Sequence, residues 1–296
     1  MEIITDFEKM QQCALALGNF DGVHTAHKEI IEKCRDYAKE TGLLSGVLLF
    51  DIHPRTLFGE EIKLLTTISE KQEMIKIMGV DFAAVKEFGE STMKMSPDEF
   101  FSFLVNQLNA KALFAGFDYT FGYKASGNTQ TLVKMAEKAE IYAEILPQVR
   151  IDNETVSSTK IRELISDGKT LEARKYLGHM YFVSGNVEKG KQNGTKMGIP
   201  TANISFSKDK IMPSDGVYTG ILEIEKRKYK SLINVGKNPT FDADIRTLEV
   251  HIPGFSGDIY EMEAHVYFDK KIREEIKFTS PEQLVKQINE DLKCLK

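Results

Sequence analysis

The chain has 296 residues, 42% of them hydrophobic and 28% charged, which is ordinary globular usage and excludes a disordered chain. Its 39 Lys and Arg stand against 44 Asp and Glu, a net charge of −5 with no basic tail, which argues against a dedicated nucleic-acid binder. No apolar run approaches the ~20 residues that span a bilayer, and the acidic, mixed N-terminus MEIITDFEKMQQ does not read as a secretory signal, so no membrane partner is expected.

At roughly 150 residues per domain the length favours two domains. CALALG (13–18) is a short apolar run closed by glycine, as a buried strand would be. Ala26, Ile30, Ile31, Cys34 and Ala38 then follow helical spacing, and Gly42 ends that helix. GVLLF (46–50) reads as a strand, 69–79 as a helix and FAAV (82–85) as a strand. Ser96-Pro97-Asp98-Glu99 is a capping box that starts a helix. LFAG (113–116), a helix around 129–140 and IYAEIL (141–146) continue the alternation, which predicts a mostly parallel sheet covered by helices. After about Tyr181 the pattern changes. Segments 181–187, 217–225, 229–235, 247–252 and 259–268 look like strands, and Ser280-Pro281 with Gln283 opens a final helix as a second capping box. The second module is therefore a small β-rich domain, a barrel with a C-terminal helix, and the boundary is placed at 178–182.

The strongest local feature is Gly18-Asn19-Phe20-Asp21-Gly22-Val23-His24-Thr25-Ala26-His27, where a buried strand turns into a helix. In an α/β sheet that is the carboxyl end of a strand, where ligands bind. The helix start offers free N–H groups to a phosphate, and His24 and His27 can share one helical face beside it. Taken alone, HxxH is weak evidence and reads better as a capped turn with two ordinary surface histidines. Zinc lacks a third ligand at suggestive spacing. FDIHPRTLF (50–58) puts Asp51, His53 and Arg55 after the second predicted strand, and GFDYTFG (116–122) follows the fourth with Asp118, Tyr119 and Phe121. Ser157-Ser158-Thr159-Lys160-Ile161-Arg162 starts a short helix with hydroxyls, N–H groups and an arginine for a second anion contact.

The second half has its own cluster, from Gly190 through Lys191, Gly194, Thr195, Lys196 and Gly198 to Ile199-Pro200-Thr201-Ala202-Asn203. Glycines and lysines suit a phosphate-holding loop, and Thr201 and Asn203 carry neutral oxygens suited to a hard cation such as Mg²⁺. A flexible basic loop is the plain alternative. In LEVHI (248–252), Leu248, Val250 and Ile252 face one way and Glu249 and His251 the other, so Glu249 could accept a proton from a substrate hydroxyl. Gly185 to Gln192 nearly fits a Walker A spacing, but Gln192 replaces the Ser/Thr and no helix pattern follows.

The ordered set, from GNFDGVH through HPR, GxDxxFG, SSTxIR, GxPTAN, GVY (216–218), NPTF (238–241) and LEVH to REEIKF (273–278), resembles the bacterial bifunctional riboflavin kinase/FAD synthetase family from about residue 13 to 292. The resemblance implies a Rossmann-like HxGH nucleotidyltransferase over 1–180, acting as FMN adenylyltransferase. It also implies a six-stranded Greek-key riboflavin kinase barrel over 181–296. It implies that Gly18, Asn19, Phe20, Asp21, Gly22, His24, His27, Ser158, Thr159 and Arg162 hold ATP for adenylylation of FMN. Asp118, Tyr119 and Phe121 would hold flavin. In the kinase, Gly190, Gly194 and Lys196 would hold ATP, Thr201 and Asn203 would bind Mg²⁺, and Glu249 would act as base. The implied substrates are riboflavin, FMN and ATP, and three scattered cysteines fit a cytoplasmic setting. No oligomeric state is specified. The chain departs from the family pattern at Ala26, His179, Met180, Thr195 and Ile199. A single-activity FMN adenylyltransferase with a weak kinase module, or a non-catalytic flavin-nucleotide binder, are the competing readings.

Overall fold

The computed structural model describes residues 1–8, 10–57, 61–189, 199–237 and 246–295. The chain divides into two compact units, Met1–Ser158 and Thr159–Lys296.

The first unit is built on a six-stranded, wholly parallel sheet. Its strands are β1 (Glu2–Ile4), β2 (Cys13–Leu17), β3 (Leu44–Phe50), β4 (Phe82–Lys86), β5 (Ala110–Gly116) and β6 (Tyr142–Leu146), in the order β1-β4-β3-β2-β5-β6. Every residue of β2 is buried, because both faces of this central strand are covered. Cys13, Leu15 and Leu17 enter one core cluster, and Ala14 and Ala16 enter the other. The second cluster is completed by Ile30, Ile31, Cys34 and Ala38 of helix α1 (Thr25–Thr41), the stripe expected from the sequence apart from Ala26, which is half-buried and outside the cluster. Gly42 ends that helix in the left-handed conformation, φ 72°.

Helix α2 (Ile68–Ile77) opens with a complete Thr67/Glu70 capping box, and α3 (Pro97–Ser102) with the expected Ser96/Glu99 box. Helix α4 (Thr129–Lys138) precedes β6. Strand β1 was not expected: two of its three side chains are exposed, so it carries no apolar run.

The second unit holds α5 (Ser158–Ser166) beyond its first residue, α6 (Thr170–Leu177), a closed barrel and α7 (Pro281–Leu292). The contact boundary falls after Ser158, whereas the sequence pattern changes at 178–182. Helix α6 accounts for the interval, because Thr170 Oγ1 donates to the Asp269 carbonyl at 2.8 Å and Arg174 pairs with the Asp269 carboxylate at 3.7 Å.

The barrel strands are β7 (Tyr181–Glu188), β8 (Ala202–Ser205), β9 (Gly216–Ile224), β10 (Arg227–Lys237), β11 (Arg246–His251) and β12 (Glu263–Arg273), closed in the order β7-β8-β11-β10-β9-β12. Strands β9, β10 and β11 form a meander and β12 returns beside β9, which is a Greek key. Strand β8 was not among the segments expected from alternation. The strand expected over 259–268 starts instead at Glu263, because Glu261 turns the chain at φ 64°. At Gly185 an added Cβ would stand 1.6 Å from the Ser205 carbonyl oxygen, so only glycine lets β7 and β8 close.

Ser280 caps α7 by accepting from the Gln283 N–H, but the Gln283 side-chain oxygen accepts from Thr279 and not from Ser280. The expected capping box is thus only half formed. The helix is instead tied down at its far end. Asp291, 4% exposed, accepts from Arg273 Nε at 3.0 Å and Nη2 at 2.8 Å. Removing one partner of such a pair leaves a buried charge unmatched. Asp291→Ala should therefore lower stability by about 3 kcal/mol, read as a shift in the urea midpoint of the second unit's transition.

Candidate active sites

Strand β2 lies between β3 and β5, at the point where the strand order reverses. Parallel strands bring the loops after β2, β3 and β5 to one edge of the sheet, where ligands bind in open α/β sheets. The loop after β2 is made by three left-handed residues: Phe20 (φ 49°), Gly22 (φ 84°) and Val23 (φ 38°). Such a backbone persists only where its surroundings hold it. Phe20 and Val23 are buried plugs that anchor it from below.

The buried Asp21 carboxylate anchors it from the side. It accepts from the N–H of Leu65 at 3.2 Å, the N–H of Thr66 at 2.9 Å and the Thr66 hydroxyl at 3.2 Å. The Gly22 N–H donates to Thr66 Oγ1 at 2.9 Å, and Ser158 Oγ donates to the Asp21 carbonyl at 2.9 Å. Lys71 of α2 donates to the Asn19 carbonyl at 2.6 Å. Thr66 and Lys71 carry no motif, and 44 or more residues separate each from its partners.

His24 is the N-cap of α1, and its Nδ1 accepts from the His27 N–H at 3.3 Å. The two imidazoles stack with centroids 3.5 Å apart, and Phe20 meets His27 edge-on at 5.3 Å. His27 Nδ1 is buried with no hydrogen-bond partner among the described residues. Burial, then His24, then Lys71 push the His27 pKa well below the usual histidine range, so the ring is neutral near pH 7. Ala26 lies in the first turn of α1 with ordinary helical backbone, which alanine adopts without strain.

After β3, Asp51 accepts from the N–H of Ile52 at 2.9 Å and of Phe88 at 2.8 Å, and His53 Nδ1 accepts from the Arg55 N–H at 3.3 Å. After β5, Asp118 is exposed. Phe121 is only 5% exposed and packs 5.7 Å from Phe100 and 5.9 Å from Tyr119 in the core. Burial pushes the Tyr119 hydroxyl's pKa well above the usual range. Phe117 and Tyr123, on and beside the same loop, carry exposed rings that the sequence pattern did not single out. Ser158 opens α5, with Thr159 exposed and Arg162 half-buried in the same helix.

In the barrel, register brings a second set together. Asn203 on β8 pairs directly with Glu249 on β11, which pairs with Asn234 on β10. Their neighbours Ala202, Ile204, Leu248, Val250, Ile233 and Val235 are buried in the barrel, so the polar row lies on the opposite face. Thr201, half-buried, precedes β8, and His251 Nδ1 sits 2.8 Å from the Pro200 carbonyl. Burial, then the Glu275 carboxylate, push the Glu249 pKa above the usual range. Glu275 lies against Gly236, where an added Cβ would stand 2.1 Å from Oε1. Gly190, Gly194, Thr195, Lys196 and the NPTF segment lie outside the described residues.

Residues 6–160 match the family model described as FAD synthetase, and residues 177–296 match the one described as riboflavin kinase. The chain belongs to the bifunctional riboflavin kinase/FMN adenylyltransferase family. The Listeria monocytogenes protein of that name is 33% identical over 97% of this chain and 91% of its own length. The Haemophilus influenzae one is 34% identical over 97% of this chain and 94% of its own. A crystal structure of a protein named macrolide-efflux protein from Streptococcus pneumoniae matches with a TM-score of 0.89 at 31% identity, covering 99% of this chain and 97% of that one. That match concerns the fold. Among the described residues no helix is long and apolar enough to cross a membrane.

Asp21→Ala would strip three donors of their acceptor at once. Unsatisfied buried donors cost about 1–3 kcal/mol each, with partial relief by relaxation. A loss of about 2–4 kcal/mol in the first unit's urea-unfolding transition is expected, with FMN formation from riboflavin retained.

Proposed function

We infer that each half of the chain carries its family's activity: it phosphorylates riboflavin to FMN with ATP, and adenylylates FMN to FAD with release of pyrophosphate. The observation that carries this is the presence, in one chain, of full-length likeness to both modules of a single pathway. We take residues 1–180 as the adenylyltransferase and 181–296 as the kinase.

For adenylylation, the turn from Gly18 to Gly22 and the start of α5 at Ser158 and Thr159 would offer N–H groups to ATP phosphates. His24 and His27 would donate to the same phosphates, His27 as a neutral imidazole, and Arg162 would balance charge as pyrophosphate leaves. The FMN phosphate attacks the α-phosphorus, so the work of the site is positioning and charge stabilisation. Asp118 and Tyr119 would face the flavin side, with Phe121 holding that loop from the core.

In the kinase, Glu249 would take the proton of the terminal ribityl hydroxyl as its oxygen attacks the γ-phosphorus and ADP leaves. The raised pKa of Glu249 suits this role, since a more basic carboxylate is a better acceptor. Gly190, Gly194 and Lys196 would hold the nucleotide. Thr201 and Asn203 offer neutral, hard oxygens, and among the described residues no trio of His, Cys, Asp or Glu could hold a metal. Such a donor set fits Mg²⁺. When bound, Mg²⁺ would neutralise charge on the phosphates. A cytoplasmic setting suits three free cysteines, two of them buried thiols pushed up to about 12.

Glu249→Ala should abolish FMN formation from riboflavin while leaving FAD formation from supplied FMN within twofold, measured chromatographically. Equal loss of both in a folded variant would refute the module assignment. His27→Ala should do the reverse, with FAD formation falling about 100-fold or more, the scale on which losing one donor to transition-state charge is felt.

A further inference from the structure

We propose that Lys71 is a positioning residue for the adenylyl-transfer site, holding the peptide between Asn19 and Phe20 in place and supplying a fixed positive charge behind His27. The inference rests on the adenylyltransferase reading above and adds a residue to it.

Lysine is rarely buried without reason, yet Lys71 is only 8% exposed. It lies on α2, 52 residues from the carbonyl it reaches, and the 2.6 Å contact is short for a neutral acceptor. A trans peptide is planar, so fixing the Asn19 carbonyl toward Lys71 turns the Phe20 N–H the opposite way. Phe20 is in the left-handed region, and the bond from Lys71 adds to the Val23 N–H donation to the Phe20 carbonyl at 3.1 Å in holding the turn. Lys71 thus acts on the turn's geometry from beneath.

It also acts on charge. Burial pulls the Lys71 pKa below the usual lysine range, and the opposite charge of Asp21 beside it works against that shift and favours the protonated form. The charged or titratable groups that act on His27 are His24 from its own helix and Lys71 from α2. Burial is the largest cause of the neutral His27 ring, and both groups add to it by disfavouring a second positive charge.

The test uses the full-length chain as Lys71→Met, Lys71→Gln and Lys71→Arg. Three quantities are read: kcat and KM for ATP in FAD formation, FMN formation from riboflavin, and the His27 imidazole titration by NMR. We expect Lys71→Met and Lys71→Gln to lower kcat/KM for FAD formation at least tenfold, to leave FMN formation within twofold, and to move the His27 midpoint upward in pH. Lys71→Arg keeps the charge and should keep the His27 midpoint while recovering only part of the rate. An unmoved His27 midpoint in Lys71→Met overturns the proposal, as does an unchanged kcat/KM. Should Lys71→Met fail to fold, Lys71→Gln and Lys71→Arg must still separate on the midpoint, and identical midpoints overturn it. The NMR titration needs no turnover, so absence of FAD formation in the unsubstituted chain would refute the adenylyltransferase reading alone.

Discussion

A single buried carboxylate anchors the turn after β2 in a shape it would not keep alone. Three residues of that turn sit in the left-handed region, and two of them, Phe20 and Val23, are not glycine. Left-handed backbone at such residues costs of order 1–3 kcal/mol each. Asp21 offsets that cost by accepting from two backbone N–H groups and one hydroxyl of the Leu65–Thr66 segment. The stacking of His24 on His27 depends on the same anchor, because His24 is both the end of the turn and the cap of α1. Geometry at the turn is therefore set by a carboxylate that is itself taken up by the Leu65–Thr66 segment.

The barrel solves the corresponding problem by register. No loop has to bring Asn203, Glu249 and Asn234 together, since three adjacent antiparallel strands place them in one row. Alternation then decides which face they take: the flanking residues fill the barrel and the polar row is left outside it. Glycine at 185 permits the close approach that brings β8, and with it Asn203, into the sheet.

Much of this was legible in the residues themselves. Apolar runs marked β2 through β6, helical spacing marked the buried stripe of α1, and strand alternation at 248–252 predicted which way Glu249 faces. The misses have physical causes. Strand β1 has too few buried side chains to show a pattern, and β8 has only four residues. Helix α6 begins without a side-chain cap, so no start signal precedes it. Phe121 reads as a ligand contact because aromatic residues serve cores and sites alike; only its packing on Phe100 tells them apart. Thr66 and Lys71 were invisible because their partners lie 44 to 52 residues away.

The pairing of β12 carries a consequence for how the chain is made. The parallel sheet of the first unit is complete once residue 146 has been synthesised. The barrel is different, because its seam between β7 and β9 is filled by β12, its last strand in the chain. Domains commonly fold as units during synthesis, the N-terminal one first. The first unit can thus fold on the ribosome while β7 and β9 wait with unpaired edges until residues 263–273 emerge. That interval is when this protein is most exposed to strand-to-strand association with its neighbours.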